Sequence, residues 1–144
     1  MKKICLPLLA SLFITFGSIA YAQTGTLNVE ISGINDIKGL MSIGVYSDEK
    51  GFPDKGKEFI GIDVEINSQM IVYKFKDIPL GTYAIAVFHD VNSNAKLDKN
   101  FLGIPKEGYA FSNNIFGAFG SPPGFKDASF QFTGDKKVKI KMEY

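Results

Sequence analysis

The stretch Gly81-Thr82-Tyr83-Ala84-Ile85-Ala86-Val87-Phe88-His89-Asp90 decides the fold class of this chain. Tyr, Ile and Val stand at positions 83, 85 and 87, and they alternate with Ala, Ala and Phe at 84, 86 and 88. A period of two indicates a β-strand. Because both sets are apolar, we expect a central strand that is covered on both sides.

Six further segments of the chain alternate in the same way. They fall at residues 27–31, 41–45, 60–66, 71–75, 130–132 and 138–142, and nothing after residue 22 shows a helical period. Pro79-Leu80-Gly81-Thr82-Tyr83 resembles a turn of transthyretin-like and collagen-adhesin B-type sandwiches. We predict an all-β domain, a seven-stranded antiparallel Greek-key β-sandwich of transthyretin-like (prealbumin-like) type. Ile85 and Val87 should be among its most buried residues.

Residues 90–125 form a long loop insertion between the fifth and sixth predicted strands. Insertions of this length without strands are uncommon in compact domains. Aromatic residues argue against disorder here, namely Phe101, Tyr109, Phe111, Phe116, Phe119 and Phe125. We predict that the insertion folds over one end of the sandwich. The alternative is an aromatic platform for a sugar or an apolar molecule.

The insertion begins with an oxygen-rich loop. Side-chain oxygens fall at positions 1, 3, 5 and 9, from Asp90, Asn92, Asn94 and Asp98. Alternate residues of a tight loop can turn such oxygens towards Ca²⁺, which takes about six to eight of them. The carbonyl of Lys96 would add a ligand, and Glu107 is our candidate for another. The spacing predicts a structural Ca²⁺ site, and the alternative is an ordinary Asx-rich turn.

Longer motifs connect the chain with one bacterial family. They are the stretch 81–90, the Asn92/Asn94/Leu97-Asp98 run, and Gly103-Ile104-Pro105-Lys106-Glu107-Gly108-Tyr109 followed by Phe111-Ser112-Asn113. The mature chain resembles the exported family known as domain of unknown function 2141. That family has no established activity, so the resemblance implies none. The chain departs from the family at Ala95, where a glycine is usual, and alanine makes a sharp loop turn costlier.

Residues 1–22 have the composition of a secretory signal peptide. Two lysines precede an apolar run, and Ala20-Tyr21-Ala22 gives a small-x-small cleavage site. The apolar run is too short to span a membrane. Cleavage leaves residues 23–144 as a single domain with 14 basic and 15 acidic residues, after Lys2 and Lys3 are subtracted from 16. This balance suggests neither nucleic acid nor an anionic membrane as partner. We expect a periplasmic or secreted monomer.

The chain offers few residues for catalysis. His89 is its only histidine, and we expect a structural role, such as orienting Asp90. Ser112 lacks the G-x-S-x-G context of a nucleophile. We therefore predict a binding or interaction module for a protein, a glycan or a small ligand, and not an enzyme. The alternative is a small periplasmic hydrolase with the 90–125 insertion as its active-site lip. A pocket that combined His89 with a buried carboxylate would favour the hydrolase.

Overall fold

The computed structural model describes residues 23–144, and the predicted signal peptide over 1–22 lies outside the described residues. Eight strands run through this part: β1 (Thr24–Ser32), β2 (Leu40–Tyr46), β3 (Ile60–Glu65), β4 (Ile71–Pro79), β5 (Gly81–Asp90), β6 (Tyr109–Phe111), β7 (Phe130–Phe132) and β8 (Lys136–Lys141). Two 3-10 turns (Ser112–Asn114, Ala118–Gly120) and the one-turn helix α1 (Phe125–Ala128) complete the elements. The prediction of an all-β domain is confirmed.

The strands form two sheets. One has three strands in the order β4-β1-β8, and the other has the order β3-β2-β5-β6 with β7 also paired to β5. In the three-stranded sheet β1 is antiparallel to β4 and parallel to β8. In the larger sheet β2 pairs with one edge of β5, while β6 and β7 pair with successive parts of its other edge. All pairings of the larger sheet are antiparallel.

The prediction of seven antiparallel strands is therefore wrong in two respects. The described residues contain an eighth strand, β6, which lies inside the insertion predicted to be strand-free; its three residues are too few to show a period. The second error concerns β8, which runs parallel to β1. Alternation of apolar residues reveals which face of a strand is buried, but it carries no information about the direction of its neighbour.

The inner faces of both sheets meet in one hydrophobic core. Alternate residues of β1, at positions 27, 29 and 31, join those of β2 and β5 in a single cluster. Ile85 is fully buried and Val87 is 2% exposed, as predicted. Each such side chain stabilises the fold by roughly 1.5–3 kcal/mol through burial.

A second, smaller cluster covers the outer face of β5. Ala84, Phe111 and Ala128 form its buried centre, and aromatic residues of the insertion pack around them, among them Phe116 and Phe125. The expectation that β5 is covered on both sides is confirmed. The insertion covers the outer face of the larger sheet, and not one end as predicted, because β6 docks its aromatic residues beside β5.

The motif residues Ser112 and Asn113, with the following Asn114, attach this part of the insertion to the sheets. The buried Ser112 hydroxyl accepts a hydrogen bond from the Ile85 N–H at 2.8 Å and donates to a carbonyl of α1 at 2.6 Å. The Asn113 amide donates to two carbonyls around α1, at 3.0 Å each. Asn114 accepts from the Lys141 N–H at 2.8 Å. These bonds hold the insertion against β5 and β8.

Candidate functional site

Asp90 anchors the oxygen-rich loop at the end of β5. Its side chain is 1% exposed. One carboxylate oxygen accepts a hydrogen bond from the Asn94 N–H at 3.0 Å, and the other accepts from the Ala95 N–H at 2.7 Å. To present its N–H, Ala95 adopts a left-handed backbone with φ of 63°. This is the sharp turn that the sequence predicts to be costly for alanine.

Asp98 closes the loop from the other side. Its carboxylate accepts hydrogen bonds from the amide groups of Asn92 at 2.8 Å and Asn94 at 3.1 Å. The side-chain oxygens of these two asparagines accept from the backbone N–H groups of Asn94 and Lys96, at 3.2 and 2.9 Å. The four residues predicted to supply side-chain ligands thus belong to one hydrogen-bonded network.

Glu107 braces the two ends of this loop. The carboxylate is buried, and it accepts from the Val91 N–H and from the Asp98 N–H, at 2.9 Å each. Glu107 was predicted as a Ca²⁺ ligand, and the structure places it beside the loop. In the structure Glu107 binds the loop backbone, a role that only the three-dimensional contact reveals.

All six residues of the predicted Ca²⁺ site, including the exposed Lys96, lie within this one loop and its brace. The carboxylates of Asp90, Asp98 and Glu107 accept hydrogen bonds from N–H donors of the loop. Within residues 23–144, no three His, Cys, Asp or Glu side chains are grouped so that they could hold a metal ion. Calcium binding therefore stays a prediction.

His89 lies on the inner side of β5 and is fully buried. Its Nε2 is 2.8 Å from the carbonyl of Lys38, and its Nδ1 is 2.9 Å from the Tyr144 hydroxyl. Because a carbonyl only accepts, Nε2 carries the proton; the Tyr144 hydroxyl, which accepts from the Asn35 N–H, donates to Nδ1. Burial raises the pKa of Tyr144 and so favours this neutral hydroxyl. Both ring nitrogens are engaged away from Asp90, so the expectation that His89 orients Asp90 is wrong.

The two residues considered for catalysis do not come together. The His89 ring is hydrogen-bonded to the Lys38 carbonyl and the Tyr144 hydroxyl. The Ser112 hydroxyl is hydrogen-bonded to the backbone of Ile85 and Ala128. Neither residue lines the groove on the outer face of the five-stranded sheet.

A groove of about 840 Å³ lies on the outer face of the five-stranded sheet. The register of β2, β5 and β6 sets the floor of the groove. One row across these strands is Ser42, Phe88 and Tyr109, and the next row is Gly44, Ala86 and Phe111. Small residues on the second face of β2 and β5 leave room above the sheet. The groove was not predicted from the sequence, and these small residues are the signal in the sequence that could have indicated it.

Exposed apolar side chains surround the groove. Leu102, Ile104 and Phe119 line it, and their side chains are among the most exposed hydrophobic ones in residues 23–144, with Phe119 fully exposed. Phe101, next to Leu102, is 94% exposed. Clustered exposed apolar residues are uncommon on a soluble domain and mark contact sites.

Charged residues complete the lining. Lys55 binds Asp63 at 2.8 Å and lies 5.2 Å above the Phe88 ring. Partial burial would raise the pKa of Asp63, but hydrogen bonds from Lys55 and Ser42 outweigh this and lower it. On the residue 95–105 segment, Lys96 and Lys99 line the groove.

The fold and the site together define a two-sheet β domain with a braced oxygen-rich loop beside a surface groove. A family model described as "Uncharacterized protein conserved in bacteria (DUF2141)" matches residues 29–141, and the chain belongs to this family. No curated protein and no solved structure matches the chain. In the described range 23–144, no helix has the length and apolar character needed to cross a membrane.

Proposed function

We propose that this protein is an exported, non-enzymatic binding module that holds a small, largely apolar ligand in the groove of its five-stranded sheet. The observation that carries this proposal is the cavity of about 840 Å³ with its exposed apolar rim. Small-molecule sites are typically concave and largely apolar, with volumes of about 300–1,000 Å³.

The energetics of the rim support this role. Leu102, Ile104 and Phe119 expose apolar surface that a ligand would remove from water. Burial contributes about 0.8 kcal/mol for each CH₂ group, so each methylene that a ligand buries against the rim increases its affinity for the groove. The strands of the floor are held in place, since β5 is hydrogen-bonded along both edges.

The proposal includes a finer fold and a location. We infer that the two sheets pack as a transthyretin-like Greek-key sandwich, and that residues 1–22 direct export to the periplasm or the medium. The shared core of both sheets supports the sandwich. So does the turn at residues 79–81, where the chain crosses between sheets and the Tyr83 hydroxyl donates to the Pro79 carbonyl at 2.9 Å. Export rests on the composition of residues 1–22.

Calcium would organise one wall of the groove. Ala95, Lys96 and Leu97 line the groove and also belong to the oxygen-rich loop, so order in the loop fixes that wall. Ca²⁺ would be held by Asp90, Asn92, Asn94, Asp98, the Lys96 carbonyl and Glu107. Its binding would turn the oxygens of the two asparagines inward, in place of the amide N–H groups that now face Asp98.

Nile red, a neutral fluorescent probe of apolar sites, tests the groove. We expect saturable binding that is weakened at least about tenfold by Ala86→Leu, because the added side chain fills the floor. Thr133→Leu places the same leucine on an exposed position after β7 and should leave binding unchanged. Equal binding by both variants and the parent protein would overturn the proposed site.

Calorimetric titration of Ca²⁺ into chelator-treated protein tests the loop. We expect a Kd in the range of about 10⁻⁴–10⁻³ M, as in extracellular modules. Asp98→Asn should abolish binding and leave the fold intact, because the Asp98 side chain bonds only loop amides. Asp90→Ala is less informative, since Asp90 also holds the loop backbone. The exposed Asp127→Asn is the matched control. If Ca²⁺ gives no heat and no rise in Tm, the loop is only a turn.

A further inference from the structure

We propose that the ligand of the groove is an anionic amphiphile, an alkyl chain that ends in a carboxylate, as in a medium-chain fatty acid. This inference rests on the proposed function, because it names the ligand class of the same groove. Two properties of the lining carry it: the shortage of free hydroxyl groups and the position of the unpaired charges.

The lining offers little to a sugar. Sugar recognition needs several free hydrogen-bonding groups, but the Tyr46 hydroxyl already donates to the Pro53 carbonyl at 3.1 Å. Burial, with the nearby carboxylates of Glu58 and Asp54, raises the pKa of Tyr46 and keeps this hydroxyl neutral. The Ser42 hydroxyl is engaged by Asp63. Within the described residues, Ser121 is the lining residue whose hydroxyl makes no hydrogen bond. Leucine, isoleucine, proline and phenylalanine supply nine of the 25 lining residues, and this apolar surface suits an alkyl chain.

The charges of the lining select an anion. Lys55 is neutralised by Asp63, and Asp54 is paired with Lys57 at 3.0 Å. Glu58 accepts a hydrogen bond from the Gly56 N–H but makes no ion pair within residues 23–144, so it leaves one uncompensated negative charge in the lining.

Lys96 and Lys99 also make no ion pair within residues 23–144, so two unpaired cations outnumber the single unpaired carboxylate of the lining. Both are exposed at the groove, on the same segment as Leu102 and Ile104. A carboxylate beside an apolar chain would accept charge-assisted hydrogen bonds from these lysines while the chain lies on the rim. The apolar surface therefore matches the alkyl chain of a fatty acid, and the two unpaired lysines match its carboxylate.

An anionic bilayer has related chemistry, since exposed aromatic residues flanked by lysines also suit a membrane surface. The structure favours a single bound molecule. Insertion into a bilayer requires only the exposed side chains, whereas this rim surrounds a cavity that reaches the floor of the sheet.

Displacement of Nile red by three ten-carbon compounds tests the ligand class, with each compound kept below its aggregation concentration. We expect decanoate to displace the probe at about tenfold lower concentration than decanol, because two exposed ion pairs form, and decyltrimethylammonium to be the weakest. The double variant Lys96→Gln/Lys99→Gln should bring decanoate and decanol to the same concentration. The control Lys74→Gln/Lys126→Gln removes two exposed lysines elsewhere and should keep the preference.

The outcomes separate the two levels of the proposal. Equal displacement by all three compounds overturns the anionic ligand and leaves the groove standing. Failure of Nile red to bind overturns the groove itself. If decanoate does not bind, but the protein floats with phosphatidylglycerol vesicles and Phe119→Ser abolishes flotation, the rim is a membrane contact and the fatty-acid proposal is wrong.

Discussion

At the scale of single residues, the backbone of Ala95 limits how favourably the oxygen-rich loop can close. The left-handed conformation of Ala95 points its N–H at the Asp90 carboxylate. This part of the site could be predicted, because loop position 6 calls for a sharp turn whatever surrounds it. The brace formed by Glu107 could not be predicted in detail, since its contacts with Val91 and Asp98 depend on how the chain returns to the loop.

Ala95→Gly should therefore stabilise the protein. Glycine adopts positive φ without a steric penalty, and the N–H bond to Asp90 is kept, so we expect the free energy of unfolding to rise by about 1 kcal/mol. Urea unfolding measures the change. Ala118→Gly is the control, because Ala118 is exposed and has no positive φ; that change should be neutral or destabilising. A loss of stability in Ala95→Gly would show that the loop does not close as described.

At the scale of elements, β5 organises the molecule. Its alternation of apolar residues on both faces predicts a doubly covered strand, and the two clusters confirm this. The turn before it could also be predicted, because Pro79 fixes its own φ at a value that suits a turn. Gly81 does not use the positive φ that glycine permits. The short strand β6 and the parallel pairing of β8 were not, because both depend on contacts between distant segments.

Tyr83→Phe tests how firmly the turn between the sheets is held. The change removes the hydrogen bond from the Tyr83 hydroxyl to the Pro79 carbonyl and keeps the ring in the core. We expect the free energy of unfolding to fall by about 0.5–1.5 kcal/mol, measured in urea. Tyr73→Phe is the matched control, since Tyr73 packs against the same core and its hydroxyl makes no side-chain hydrogen bond in the described range. Equal effects of the two variants would mean that the Tyr83 bond contributes nothing.

At the scale of the whole molecule, the groove results from three segments that are far apart in sequence. The floor comes from β2, β5 and β6, and residues 53–58, 95–105 and 118–122 surround it. Sequence patterns could show that β5 has a second apolar face. They could not show whether the insertion would fill that face or leave a cavity, because the answer depends on where Phe111, Phe116 and Phe125 pack.

Amide chemical shifts during titration with decanol, a neutral ligand, test the central claim most directly. We expect saturable shifts at Gly44, Ala86 and Phe111 on the groove floor. Val72 and Lys137, which lie in the other sheet, should not respond. Shifts that spread over the three-stranded sheet, or no saturable shifts at the groove floor, would contradict the account of this protein as a groove-binding module.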